Sequence, residues 1–171
     1  TIFTLWSEAE RNTIDIYTIE IDNSKFKNEQ WYINTDITYS FDGTNATGSY
    51  GDATARAHAD TTWTEEDEED GLGTEGEVKV EGLKTKLIRD VKLEAANELA
   101  KTDWYITRKS EKNTAIPSAI STHRDAVRTK QDSMCTAITN ASDTPALETL
   151  YTYTKQEDGS VTRPLGELPT L

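Results

Sequence analysis

His123-Arg124-Asp125 is the tightest grouping of chemistry-bearing side chains in the sequence. An imidazole beside a carboxylate could shuttle protons near neutral pH if it had a nucleophile or a metal to serve. The sequence offers neither. Cys135 is the single cysteine, which excludes an internal disulfide, and the only other histidine is His58, 65 positions away (58 to 123) and too distant for a metal cluster. The expectation is a surface or pair-satisfied histidine, with Cys135 acting as a small buried hydrophobe. Arg124 and Arg128 fall about one helical turn apart, a spacing that could clamp a carboxylate of the acidic half or of a partner chain. No Ser/His/Asp, Cys/His, P-loop or zinc spacing is present, so neither an enzyme nor a cofactor is expected.

Carboxylates are the other candidate chemistry. Glu65-Glu66-Asp67-Glu68-Glu69-Asp70 is an unbroken acidic block followed by Gly71, Gly73 and Gly76. A calcium loop needs oxygen ligands alternating with spacers and a turn glycine, and a solid block lacks that alternation. Six adjacent like charges beside flexible glycines read instead as a mobile solvated linker. No carboxylate is singled out for acid–base work.

These side chains must be positioned by helices. Leu83, Leu87, Ile88, Val91, Ala95 and Leu99 form an amphipathic stripe ending near Ala100 or Lys101. A second helix is predicted after Pro117, with Ile120, Val127, Met134 and Ala141 at intervals of seven and Ile138 between them. The two make an antiparallel hairpin whose long connection is pinned by Trp104 and Ile106. Asp143-Thr144-Pro145 starts a short third helix carrying Leu147, Leu150 and Tyr151. Pro164, Gly166 and Pro169 then forbid continuous helix. The string Leu165, Leu168 and Leu171 is expected to lie in a groove on another subunit.

The N-terminal part has strand character. Ile14, Ile16, Tyr17, Ile19 and Ile21 cluster before the turn-like Asp22-Asn23-Ser24. Trp31, Ile33, Ile37, Tyr39 and Phe41 share one face of a predicted half-buried strand, and Asp42-Gly43 follows as a turn. The aromatics of these runs are read as core-facing rather than as a ligand platform. So few strands are marginal alone and call for further strands or a partner.

Charge separates the two parts. Residues 1–77 hold 18 acidic and 4 basic side chains, net −14, whereas residues 78–171 hold 13 and 14, net +1. The whole-chain net of −13 argues against nucleic acid and anionic membranes as partners. No apolar run approaches the roughly 18 residues needed to span a bilayer. The expected class is α+β: a small β-rich part (1–62), an acidic Gly-rich linker (63–78), a helical hairpin plus short helix (79–155) and an extended tail (156–171).

A leading helix, then Thr102-Asp103-Trp104, a spacer, and a helix carrying Arg124-Asp125-Ala126-Val127-Arg128 resembles the tail-assembly-chaperone and tail-fibre-associated modules of tailed bacteriophages. The resemblance covers about residues 85–140. The chain departs from the common pattern by a longer Lys/Glu-rich spacer, Arg108 to Asn113, and by His123 where an aromatic is frequent. It implies a non-enzymatic structural protein of the virion tail, fibre- or baseplate-associated and assembled in the host cytoplasm. Its partners would be other tail proteins or copies of itself. An assembly chaperone absent from the finished particle, or a glycan- or metal-binding module, are the alternatives. Trp104, Arg124, Arg128, Leu165, Leu168 and Leu171 are the expected partner-binding residues.

Overall fold

The computed structural model describes residues 5–171; residues 1–4, the start of the expected β-rich part, lie outside them. The chain is α+β and divides into two compact units, Thr1–Arg56 and Ala57–Leu171.

The first unit opens with a short helix α1 (Glu8–Asn12), whose Ser7 and Glu10 form a capping box. Three strands form its main sheet in the order β1 (Ile19–Asp22), β4 (Ala46–Ser49), β3 (Thr38–Phe41). β1 runs parallel to β4, and β3 antiparallel to it. The β3–β4 hairpin turns at the predicted Asp42-Gly43. There the Asp42 carboxylate accepts the N–H groups of Thr44 and Asn45 at 2.8 and 2.7 Å, and Gly43 takes φ +97°.

The single strand expected over Trp31–Phe41 is two strands in two sheets. β2 (Tyr32–Ile33) pairs with β5 (Thr54–Ala55), separately from β3. Side-chain competition for the backbone breaks the run. Asn34 exchanges two hydrogen bonds with the main chain of Lys27, and Thr35 Oγ1 accepts the Gly51 N–H at 2.7 Å. Trp31 and Tyr32 are therefore both buried, while Ile33 is exposed, against the simple alternation. Of the Ile14–Ile21 cluster only Ile19 and Ile21 enter a strand.

The second unit begins with a hairpin, β6 (Thr61–Thr62) against β7 (Val78–Val80). The acidic block sits in its loop and is ordered, which corrects the expected linker. Glu65–Glu69 is a five-residue helix, α2, capped at Thr64 by a reciprocal pair with Asp67. Lys79 bridges to Asp67 at 3.0 Å and lies over the Trp63 ring. Gly73 packs flat on that ring, where a Cβ would come within 2.5 Å of it. The unit boundary falls at Arg56/Ala57, ahead of the block rather than within it.

Next come α3 (Leu83–Ala100), α4 (Asp103–Lys112), α5 (Ser118–Asn140) and α6 (Thr144–Tyr151). Residues 57–60 cap α3. Carbonyls of Ala57 and His58 accept its first N–H groups, and Asp60 accepts Gly82 N–H and Thr85 Oγ1–H, both at 2.7 Å. The bond from Thr85, then that from Gly82, holds the Asp60 carboxyl below its ordinary range.

α3 and α5 pack as the predicted hairpin. Leu87, Val91 and Ala95 of α3 are buried, as are Val127, Met134 and Ile138 of α5 and the following Ala141, along with Leu147 of α6. The connection departs from expectation because most of it is the helix α4, closed at Asn113 in the left-handed region. After a small hairpin, β8 (Thr154–Lys155) with β9 (Val161–Thr162), the final segment turns back onto its own unit.

Candidate interaction site

Thr102, Asp103 and Arg124 converge on one point. Arg124 is only 7% exposed, and its Nη1 donates to the Leu99 carbonyl at 2.8 Å and to Thr102 Oγ1 at 2.7 Å, and reaches Asp103 Oδ1 at 2.9 Å. Thr102 Oγ1 also donates to the Leu99 carbonyl. One guanidinium thus satisfies the C-terminal end of α3 and fixes the start of α4, where helix ends leave carbonyls without partners. The expected outward role for Arg124 is corrected: it braces the corner from inside. Arg128, one turn on, is half-exposed and pairs with Asp125 of its own helix at 3.1 Å. Identical residue types at adjacent turns serve different ends because only one turn of α5 faces the α3–α4 corner.

Trp104 is not the pin of the connection. It is 51% exposed and tilts against Tyr105 with ring centroids 3.7 Å apart. Arg108 lies over both rings, with Cζ 4.8 and 5.2 Å from the centroids. α4 buries none of its residues.

Glu98 is a carboxylate within the apolar stripe of α3, 7% exposed. Lys101 donates to it, and so does the Leu171 N–H at 3.2 Å. The bond from Lys101 is the main reason its carboxyl sits below the ordinary range despite burial; Leu171 and His123 add to the effect. His123 Nε2 approaches Glu98 Oε1 to 3.3 Å but without hydrogen-bond alignment. Cys135 is a free, half-buried thiol pushed up by desolvation, a poor nucleophile.

The leucine string is also corrected. Leu165 and Leu168 are buried in their own chain. Leu165 N–H donates to the Leu150 carbonyl at 3.0 Å, and Lys130 Nζ donates to the Leu165 carbonyl at 2.8 Å. Leu171 alone keeps its side chain exposed. Folding back buries Leu165 and Leu168 without another subunit.

The sheet of the first unit holds a surface that sequence reasoning missed. Its register sets Ile19, Ala46 and Phe41 in one row and Ile21, Gly48 and Tyr39 in the next, all on one face. The other face carries Glu20, Thr47 and Ser40, then Asp22, Ser49 and Thr38. Ile19, Ile21, Tyr39 and Phe41 are 38–60% exposed. Ile21, Ile37 and Tyr39 lean over Gly48, where a Cβ would meet them at 2.8 to 3.1 Å. Period-two signals for the outer strands were legible, but the central strand, Ala46-Thr47-Gly48-Ser49, has no hydrophobic pattern to announce it.

Neither Glu98 nor His123 lines either of two concavities, one in each unit. One of about 610 Å³ is lined by residues including Ser7, Glu8, Asn12, Tyr17, Glu20 and Asn45, and one of about 370 Å³ by Thr85, Ile88, Arg89 and Lys92. Among the described residues no three His, Cys, Asp or Glu side chains gather closely enough to hold a metal ion, and no helix is long and apolar enough to cross a membrane. Comparison with protein-family models, curated proteins and solved structures finds no match.

Proposed function

We propose that this chain is a non-enzymatic structural protein of a bacteriophage tail, associated with the fibre or baseplate and working through protein–protein contacts. The observation that supports contact as its work is the open apolar face of the β1–β4–β3 sheet. Four large apolar side chains there stay 38–60% exposed while the reverse face is polar. A contiguous apolar patch rimmed by polar residues is the usual mark of a protein interface. The resemblance of residues 85–140 supplies the setting. In that stretch Thr102, Asp103 and Arg124 have a mutual, structural purpose, as expected of a motif that shapes a scaffold rather than a reaction centre.

Mass spectrometry of purified virions and co-purification of a tagged chain test this reading. The expected result is the chain in the particle and a tail protein retained on the tag, with retention lost in an Ile21→Asp/Phe41→Asp variant. Retention of a tail protein without incorporation into particles would move the chain to the assembly-chaperone role. The absence of both retention and incorporation would overturn the proposal.

A further inference from the structure

A second surface is built on α4. Trp104, Arg108 and Lys112 succeed one another at intervals of four and so form one stripe along this helix, with Tyr105 and Lys109 beside it. The helix buries no residue, yet its aromatic end is preassembled, with the two rings in contact and the guanidinium laid over them. Among the described residues Arg108 Nε is buried and has no hydrogen-bond partner. Among the described residues no carboxylate pairs with Arg108, Lys109 or Lys112, although the chain carries 31 acidic side chains. Tryptophan, tyrosine and arginine are also the residue types that carry most energy in protein interfaces.

The complementary surface occurs in the same sequence. α2 consists of five consecutive acidic residues, Glu65–Glu69, followed by Asp70. Asp67 is engaged by Thr64 and Lys79, and Glu68 accepts the Glu75 N–H. Glu65, Glu66 and Glu69 are exposed and have no ion-pair partner among the described residues. Their spacing matters. Glu65 and Glu69 stand one turn apart on their helix, as Arg108 and Lys112 do on theirs, so two carboxylates can meet two cations with the helices side by side. Like-charge repulsion within α2 would be relieved by the same contact.

We propose that the Trp104/Arg108/Lys112 stripe of α4 docks the acidic helix α2 of a second copy of this chain. Arg108 receives a carboxylate on its free edge, Lys112 takes the carboxylate one turn away, and Trp104 covers the stems of the glutamates. The patches differ, so the contact is head-to-tail: each copy gives its α2 to one neighbour and its α4 to another, and association continues until a ring closes or a filament forms. The net negative charge of each copy opposes assembly only weakly beyond a Debye length of about 8 Å at physiological salt. The contact itself, being ionic and exposed, weakens as salt rises. This surface is independent of the sheet face above.

Light scattering of the full chain over a range of concentrations, at low and high salt, tests the idea. The expected result is concentration-dependent association that salt suppresses. A Trp104→Ala/Arg108→Ala/Lys112→Ala variant and a Glu65→Gln/Glu66→Gln/Glu69→Gln variant should each stay monomeric alone, with apparent dissociation constants raised roughly tenfold or more. Mixed, they should form a one-to-one dimer and stop there, because only one productive contact remains. All these positions are on the surface, and unchanged circular dichroism would confirm that each variant folds. A wild-type chain that is monomeric throughout would overturn the proposal, as would variants that associate like wild type. Binding of a Thr64–Asp70 peptide, seen as a change in Trp104 emission, by a chain that never self-associates would also overturn the second copy as occupant and point to an acidic segment of another protein.

Discussion

The two units reach folded form by different means. In Ala57–Leu171 ten apolar side chains are buried, spread over α3, α5, α6 and the returning tail. Among the described residues of Thr1–Arg56 only Trp31 and Tyr32 are, while Ile19, Ile21, Tyr39 and Phe41 stand on an open sheet face. The first unit is held instead by strand ladders, capped turns and side-chain bonds to the main chain, such as those of Asp42 and Asn34. Net hydrogen bonds contribute about 1 kcal/mol each, against about 1.5–3 kcal/mol for a fully buried aliphatic side chain. A segment of this size with two core residues is short of the burial that small domains require. The helical unit holds most of the buried apolar side chains, whereas in the β-rich unit the large apolar side chains are mostly exposed.

Truncating a fully buried side chain of the helical unit should break that contrast most strongly. Leu147 is 0% exposed on α6. Leu147→Ala is expected to cost about 2–5 kcal/mol, since a cavity remains where the side chain was. Phe41→Ala on the sheet face should cost less, about 1 kcal/mol, because the ring is already 52% exposed and gives up mainly its contact with Tyr17. Urea denaturation followed by far-ultraviolet dichroism measures both. Equal losses would mean that the sheet face is covered in the free chain.

The corner at Arg124 sharpens the comparison by asking how much of the helical unit rests on polar bonds. Arg124→Met keeps the apolar stem but removes the donors to Leu99 and Thr102 and the partner of Asp103. A loss of about 1–3 kcal/mol is expected. Arg124→Lys should recover only part of it, because all three contacts converge on Nη1 and the shorter lysine stem carries its ammonium short of that point. Arg128→Met should stay within about 0.5 kcal/mol, because among the described residues Arg128 pairs only with the exposed Asp125.

What the sequence disclosed follows the same division. Helix periodicity is a local signal reinforced over many turns, so the stripes through Leu87–Ala95 and Val127–Ala141 announced the hairpin and most of its core. Asp42-Gly43 and Asp143-Thr144-Pro145 announced a turn and a helix start by their own chemistry. The rest depends on contacts distant in sequence. Nothing local says that β1 pairs in parallel with β4 some two dozen residues on, or that Arg124 reaches back to Leu99. The acidic block was read by its charge, but its conformation was set by neighbours: the Thr64 cap, Lys79, and the strands that close the loop. Leu165 and Leu168 invited an intermolecular reading because a sequence does not show that its own α5 and α6 offer the groove.

The smallest effect concerns Glu98, where the polar and apolar strategies meet in one residue. Its carboxylate lies in the core stripe of α3, and the bond from Lys101, aided by the Leu171 N–H and His123, holds it below its ordinary value of 4.5. A group whose folded value is depressed binds its proton more readily when the chain unfolds. Stability from ionised Glu98 is therefore complete above about pH 4.5 and is lost as pH falls through the lower folded value. Urea midpoints measured at descending pH should fall in that window. Glu98→Gln should flatten its share of the fall while leaving the contributions of Asp60 and other capped carboxylates in place. An undiminished slope in the variant would show that Lys101 and the tail do not favour the ionised carboxylate, and that the helical unit owes nothing at this position to charge.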